Sequence, residues 1–119
     1  MGVFHKDIRP ENIMITDNGT VKLIDFGITK FSKPAYDPRK VKEPLFYSAP
    51  EVLNGQFGAE ADLWAVGVVL YTLMSGYLPF QAPNTLEMFQ KIKDGDFHFK
   101  HKEFQNVSDE CKDLISKLL

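Results

Sequence analysis

Two short segments near the start of the chain carry the residue types that could do chemistry. The first is His5-Lys6-Asp7-Ile8-Arg9-Pro10-Glu11-Asn12, and the second is Asp25-Phe26-Gly27. The two carboxylates of Asp7 and Asp25 and the amide oxygen of Asn12 form a hard-oxygen donor set that suits Mg²⁺ carrying phosphate. Either segment alone is equally well explained as an Asp-containing turn without a ligand. Their order and spacing together favour the metal–phosphate site.

The elements between these two segments must bring them together. Residues 13–15 and 21–24 are rich in β-branched and apolar side chains, which predicts two short strands. Asp17-Asn18-Gly19 lies between them and predicts a tight hairpin with positive φ angles. Because a hairpin returns the chain beside its own start, both acidic segments are expected at the same end of the two strands.

A long loop and a long helix are predicted next. Residues 29–44 are polar and basic with several prolines, which is typical of a surface loop, and long loops inside compact domains tend to be functional. Residues 59–75 are apolar nearly all round, which predicts a helix buried in a core, with Gly76 as its stop signal. If neighbouring helices are missing, part of this helix is expected to form an exposed apolar patch.

Two further helices complete the predicted fold. A capping-box arrangement of Asn84 and Glu87 opens a helix that runs to about Lys93, and Gly95 ends it. Ser108 is placed to cap a last helix. The apolar stripe of that helix consists of Cys111, Leu114, Ile115 and Leu118. The predicted fold class is therefore mainly α with a small β-hairpin region.

Composition argues against several classes of protein. The 14 basic and 16 acidic residues give a net charge of -2, so no nucleic-acid binding driven by bulk charge is expected. The single cysteine, Cys111, excludes an internal disulfide and favours an intracellular, cytoplasmic location. The uncharged stretch over residues 63–86 is interrupted by Gly76 and Pro79. Its continuous apolar part is shorter than a bilayer requires, so no membrane span is expected.

These motifs resemble those of the eukaryotic protein kinases. Residues 5–12 resemble the catalytic loop H-R-D-L-x-x-x-N, residues 25–27 resemble the D-F-G metal site, and Ala49-Pro50-Glu51 matches A-P-E. The likeness covers essentially the whole chain, and it continues through residues 62–67, 76–80 and 108–119. The later helices look closest to the calcium/calmodulin-kinase-like serine/threonine group. The resemblance implies that residues 1–119 are a partial kinase domain, namely a C-terminal lobe truncated at both ends.

The resemblance also implies roles for individual residues. Asp7 matches the catalytic aspartate, which accepts the proton of the substrate hydroxyl, and Arg9 stands where a basic residue contacts the γ-phosphate of ATP. Asn12 and Asp25 match the residues that hold Mg²⁺ against the phosphates. Asp62 matches an aspartate that anchors the catalytic loop from the long helix. The alternative for Asp62 is a helix-start residue that only interacts with the helix dipole.

The implied activity is ATP-dependent transfer of the γ-phosphoryl group to a hydroxyl of a protein substrate. Arg9 and Pro44 are typical of tyrosine kinases at their positions, whereas Pro10-Glu11-Asn12 and residues 47–51 are typical of serine/threonine kinases. Serine/threonine specificity is therefore favoured, and tyrosine specificity stays open.

Regulation is expected to depart from the family pattern. Lys6 replaces the usual arginine, which binds a phosphate on the activation loop, and residues 38–42 hold no hydroxyl. Activity is therefore expected not to depend on phosphorylation at the standard place. Thr29, Ser32 and Tyr36 are the upstream alternatives.

Several parts of a working kinase are absent from these residues. Residues 1–119 contain no Gly-rich loop and no V-A-I-K lysine, so the N-terminal lobe required for ATP binding is expected to be missing from them. The isolated residues are expected to be inactive and only marginally stable. The alternative, from a different class, is a non-catalytic pseudokinase or scaffold that binds protein partners. Lys6, Arg9 and Pro44 favour this alternative, and the intact Asp7, Asn12 and Asp25 oppose it.

Overall fold

The computed structural model describes residues 4–26 and 45–119. Within these ranges the strands and helices are, in chain order, β1 (Ile13–Ile15), β2 (Val21–Leu23), α1 (Pro50–Leu53), α2 (Ala59–Ser75), α3 (Thr85–Asp94) and α4 (Asp109–Leu118). Two 3₁₀ turns, Pro10–Asn12 and Lys102–Asn106, precede β1 and α4. This architecture confirms the predicted fold class, which is mainly α with a small hairpin.

The hairpin is antiparallel, with Met14 of β1 opposite Lys22 of β2. Its loop is longer than a two-residue turn. The Gly19 amide donates to the Thr16 carbonyl at 2.8 Å, and the Thr16 amide donates to the Thr20 carbonyl at 3.0 Å. Gly19 has a φ of 80°, while the two residues before it keep negative φ angles. The prediction of several positive φ angles is therefore wrong, because a turn followed by one left-handed glycine already closes the hairpin.

Helix α2 is the central element, and one of its faces packs into the main core. The main core consists of Ala49, Leu53, Trp64, Val68, Phe80, Met88 and Ile92. The indole of Trp64 stacks on the ring of Phe80 with centroids 5.4 Å apart. Gly76 ends the helix in the left-handed region with a φ of 77°, as predicted, and its amide donates to the Thr72 carbonyl at 2.7 Å.

The opposite face of α2 is exposed. Val68 is fully buried, but Leu63 and Leu73 are 56% and 69% exposed, and Val66 and Met74 lie on the same exposed side. Helix α2 is therefore buried in the core on one face, as predicted, and its other face carries the exposed apolar side chains that were also predicted. Among the described residues, no helix combines the length and hydropathy required to cross a bilayer.

Helix α3 begins and ends at its predicted signals. The Asn84 side chain accepts a hydrogen bond from the Glu87 amide at 2.9 Å, and its own amide group donates to the Glu87 carboxylate at 2.8 Å. Gly95 ends the helix with a φ of 63°. This reciprocal pair is the capping box that the sequence predicted.

Helix α4 is capped as predicted, but it buries less of its apolar stripe than the sequence predicted. The Ser108 hydroxyl accepts a hydrogen bond from the Cys111 amide at 3.2 Å. Ile115 is fully buried in a cluster with Tyr71 and Phe104, against which Cys111 also packs. Leu114, however, is 49% exposed. It lies one residue before Ile115, so it points partly away from the helix face that meets α2.

Helix α1 was not predicted from the sequence. It has only four residues, which is too short for any periodicity to be read. The available signal was Pro50 at the first helical position, followed by the acidic Glu51 in the first turn. Its last residue, Leu53, is buried in the main core.

A Gly67→Ala substitution is expected to destabilise the fold by about 1–2 kcal/mol. A Cβ atom at Gly67 would lie 2.8 Å from Leu118 Cβ and 2.9 Å from Leu119 Cδ2, so α4 would have to shift. Alanine gains about 1 kcal/mol in helix propensity. Overpacking of a filled interior costs roughly 1–3 kcal/mol, and the two contacts below 3.0 Å favour the upper part of that range, about 2–3 kcal/mol. Thermal unfolding of the full-length protein measures the net effect, with Lys93→Ala, a change at an exposed charged position of α3, as control. An unchanged or higher midpoint for Gly67→Ala would contradict the close packing of α2 on α4.

Candidate active site

The start of the catalytic loop is anchored to α2 by Asp62. One carboxylate oxygen accepts a hydrogen bond from the His5 amide at 2.7 Å, and the other accepts one from the Lys6 amide at 2.8 Å. Lys6 has a φ of 67°, in the left-handed region that side chains other than glycine rarely adopt. Two bonds to one charged group hold the backbone in this conformation. The anchoring contact that the resemblance implied is confirmed.

His5 ties the catalytic loop to the end of β2. Its side chain is buried, and its Nε2 lies 2.8 Å from the Ile24 carbonyl, to which only a protonated Nε2 can donate. Its Nδ1 accepts the Asp7 amide at 3.3 Å. The ring also meets Phe26 edge-on, with centroids 4.6 Å apart. Because both ring nitrogens are used, His5 fits as the neutral Nε2–H tautomer. The sequence placed His5 in the motif but gave no sign of this bridging role.

Asp7 and Asn12 lie in direct contact. The side-chain amide of Asn12 donates to the Asp7 carbonyl at 2.8 Å and to the Asp7 carboxylate at 3.1 Å. The 3₁₀ turn Pro10–Asn12 brings the two residues together, and Asn12 is buried. Since Asn12 uses its Nδ2 for these bonds, its Oδ1 remains as an acceptor. An amide oxygen beside a carboxylate fits the donor preference of Mg²⁺.

Asp25 follows β2 at the same end of the hairpin. The Ile24 amide donates to the Asn12 carbonyl at 3.0 Å, so the residue before Asp25 is bonded directly to the catalytic loop. Asp25 has a φ of 61°. Among the described non-glycine residues, only Asp25 and Lys6 have positive φ. Lys6 lies in the first of the two acidic segments and Asp25 in the second. Strained backbone conformations often occur at functional sites.

Arg9 is paired with Glu11 within the catalytic loop. Its Nε lies 3.0 Å from one oxygen of Glu11, and its terminal nitrogen lies 3.2 Å from the other. The hydrogen bond from Arg9 is the main cause that lowers the pKa of the Glu11 carboxyl below its ordinary value. The two parallel bonds fix the plane of the guanidinium group.

A groove separates the catalytic loop from the segment before α1. It encloses about 450 Å³, including the solvent at its open side, and Asp7, Tyr47, Ser48 and Phe57 contribute to its walls. The ammonium group of Lys6 lies 5.7 Å from the centre of the Phe57 ring. The sequence predicted no groove role for Tyr47 or Phe57, because their place beside Asp7 depends on tertiary packing.

Several predicted features lie outside the described residues. They are Gly27, Pro44 and the whole of residues 29–42, which include the proposed phosphorylation sites Thr29, Ser32 and Tyr36. The predictions about hydroxyl specificity at Pro44 and about regulation therefore stay predictions.

Comparison with known proteins identifies the family. The protein kinase domain family matches residues 1–119. Calcium-dependent protein kinase 25 of Arabidopsis thaliana is 38% identical over 122 residues, which cover 100% of this chain and 24% of that protein. Calcium-dependent protein kinase 16 of Oryza sativa subsp. japonica is 40% identical over 121 residues, which cover 99% of this chain and 22% of that protein. Calcium-dependent protein kinase 3 of Plasmodium yoelii yoelii is 39% identical over 121 residues, which cover 98% of this chain and 22% of that protein.

The match agrees with the geometry of the site. The chain spans about a quarter of the length of these relatives. Protein kinases in general use ATP and Mg²⁺ and act on protein substrates. The residues that the resemblance selected lie together: Asp62 anchors the loop, Asn12 contacts Asp7, and the residue before Asp25 bonds to Asn12. The chain belongs to the eukaryotic protein kinase family, within its calcium-dependent and calcium/calmodulin-kinase-like group.

Proposed function

We propose that the full-length protein is an ATP-dependent protein kinase that phosphorylates serine and threonine hydroxyls of protein substrates. The observation that carries this proposal is the position of Asp7, which is held from two sides. His5 accepts its amide at 3.3 Å, and Asn12 donates to its carboxylate at 3.1 Å. A carboxylate fixed in this way is preorganised to orient a substrate hydroxyl and accept its proton.

The neighbouring residues have complementary roles in this proposal. Asn12 and Asp25 would hold Mg²⁺, which when bound neutralises the charge on the phosphates of ATP. Arg9 would contact the γ-phosphate through its guanidinium group, which can bind phosphate with two N–H donors. Asp7 holds the acceptor oxygen for in-line attack, and the proton of the hydroxyl goes to its carboxylate.

The rest of the machinery is assigned to parts of the protein beyond these residues. We infer that residues 1–119 are a partial kinase domain and that ATP binding requires an N-terminal lobe. The isolated residues are therefore expected to show no phosphoryl transfer. We further propose an intracellular, cytoplasmic protein whose partners are protein substrates rather than nucleic acids.

The second candidate is a non-catalytic pseudokinase that acts as a scaffold. One observation favours it, because Glu11 already occupies the guanidinium group of Arg9 with two hydrogen bonds. A γ-phosphate would have to compete with that pair. The pair is exposed on the Glu11 side, however, and exposed ion pairs are weak, so ATP can displace it at small cost.

A radiolabel assay separates these candidates. Full-length protein is incubated with γ-labelled ATP and a peptide library whose members carry serine, threonine or tyrosine as the sole hydroxyl. We expect Mg²⁺-dependent label on serine and threonine peptides. The Asp7→Asn variant, purified in the same way, controls for contaminating kinases. Absence of label in the wild type would favour the scaffold, and label on tyrosine peptides alone would reverse the proposed hydroxyl specificity.

A further inference from the structure

The start of α2 contacts both the backbone and the side chain of Lys6. The Lys6 amide donates to the Asp62 carboxylate at 2.8 Å, and the Lys6 ammonium group lies 5.7 Å from the centre of the Phe57 ring. Phe57 directly precedes Gly58, the N-cap residue of α2, and Asp62 lies in the first turn of that helix. Both ends of Lys6 are therefore attached to the same end of one helix.

The contact between the Lys6 ammonium group and the Phe57 ring fits a cation–π interaction. Such an interaction forms when a cation lies within about 6 Å of the ring centroid. Phe57 is 46% exposed and belongs to none of the hydrophobic clusters of the described residues. Packing in a core therefore does not explain an aromatic side chain at this position, whereas the contact with Lys6 does.

The conformation of Lys6 determines where Asp7 lies. The φ of Lys6 is 67°, in the left-handed region that side chains other than glycine rarely adopt. Because Lys6 directly precedes Asp7, a backbone rotation at Lys6 would displace the Asp7 carboxylate. Lys6, Asp7 and Phe57 also line the same groove. A contact that restrains the Lys6 side chain therefore helps to restrain Asp7.

We propose that Phe57 is a positioning residue, which holds the Lys6 ammonium group and thereby keeps Asp7 in place for phosphoryl transfer. This inference rests on the proposed function, since it treats Asp7 as the base of that reaction. The electron-rich face of the ring carries the effect, because it attracts a cation and an aliphatic side chain does not. An aliphatic side chain at position 57 would occupy part of the same space without holding the ammonium group.

The test uses the full-length protein and changes the aromatic face. Phe57→Leu removes the ring, whereas Phe57→Tyr keeps an aromatic ring for the cation. Tyr77→Leu is the matched control, on an exposed tyrosine that stacks on His101 outside the groove. We expect Phe57→Leu to lower kcat about twofold to fivefold, the size of one exposed cation–π contact, and Phe57→Tyr to retain most of the wild-type kcat. Tyr77→Leu should leave kcat unchanged.

A double-mutant cycle with Lys6→Met tests whether the effect passes through the ammonium group. Methionine keeps an unbranched apolar stem but carries no charge, so Phe57→Leu should lower kcat no further in the Lys6→Met background. An equal loss in both backgrounds would show that Phe57 acts by packing, and it would overturn the proposal. A loss confined to a higher KM for the peptide would also overturn it, because Phe57 would then contact the substrate directly.

Hydrogen exchange separates failure of this inference from failure of the proposed function. The amides of Lys6 and Asp7 should exchange about twofold to fivefold faster in Phe57→Leu than in wild type, while Phe57→Tyr and Tyr77→Leu should match wild type. If the wild type proves inactive, the proposed kinase function fails, but this exchange pattern still supports Phe57 as the residue that holds Lys6. Unchanged exchange in Phe57→Leu would overturn the inference in an active or an inactive protein. Faster exchange with unchanged kcat in an active protein would overturn the positioning role.

Discussion

An Asp7→Asn variant of the full-length protein is expected to lose about a thousandfold or more of kcat. A positioned general base contributes roughly 10²–10⁴-fold to a reaction, and the carboxylate also orients the acceptor oxygen. The substitution preserves the geometry, because an asparagine oxygen at position 7 can still accept the Asn12 bond that now measures 3.1 Å. The loss should therefore appear in kcat, with the KM for ATP nearly unchanged. Steady-state kinetics with a labelled peptide measure both constants.

Asp17→Asn is the matched control for this substitution. Asp17 is exposed in the hairpin loop. Its substitution therefore changes the net charge by the same amount as Asp7→Asn without affecting the site. We expect wild-type kinetics for Asp17→Asn and nearly equal unfolding midpoints for both variants. If Asp7→Asn retained more than about a tenth of wild-type kcat, Asp7 could not be the base, given the usual size of that contribution.

Local signals in the sequence predicted the helix boundaries well. Asn84 and Glu87 act within one turn of each other, and Gly95 acts on the last turn alone, so the geometry of each signal follows from local spacing. The convergence of the two acidic segments was likewise predictable, because it needs only a hairpin between them. The Ile24–Asn12 hydrogen bond is consistent with that expectation.

Contacts between distant residues could not be derived in this way. Asp62 binds amides 57 and 56 residues away, and no local pattern encodes that pairing. For Asp62 the family resemblance supplied the expectation. Nothing in the sequence pattern predicted the hydrogen bond between His5 and Ile24, which are 19 residues apart. The contact between Lys6 and Phe57 likewise depends on tertiary packing, which composition does not determine.

Burial was the least predictable property. An apolar helix is buried all round only if enough neighbours surround it. The exposed Leu63 and Leu73 show that, within residues 4–26 and 45–119, no element covers α2 on that side. Leu114 fits a helical stripe by spacing, yet it lies at the edge of the face that meets α2. Periodicity identifies which residues share a face, but the width of the contact depends on the neighbouring elements.

Asp62→Ala is expected to lower both stability and activity of the full-length protein. It removes two charge-assisted hydrogen bonds to the backbone, at 2.7 and 2.8 Å, one of them partly buried. Such bonds contribute about 1.5–3 kcal/mol each, and partial exposure reduces the sum to about 2–4 kcal/mol. Without the anchor, Lys6 can leave its left-handed conformation, and the loop that carries Asp7 moves with it. A shift of about 1 Å can cost a hundredfold in rate, so kcat should fall by about that factor.

Glu60→Gln separates anchoring from a helix-dipole effect. Glu60 and Asp62 both lie in the first turn of α2, where either carboxylate interacts favourably with the helix dipole. If Asp62 were only a helix-start residue, both substitutions would cost a similar 0.3–1 kcal/mol or so, the usual dipole contribution, and neither would affect kcat. If Asp62 is the anchor, Glu60→Gln stays near wild type and Asp62→Ala loses activity. Because the two bonds from Asp62 reach the residues directly before Asp7, a kcat unchanged in Asp62→Ala would mean that the loop holds its geometry through its other contacts.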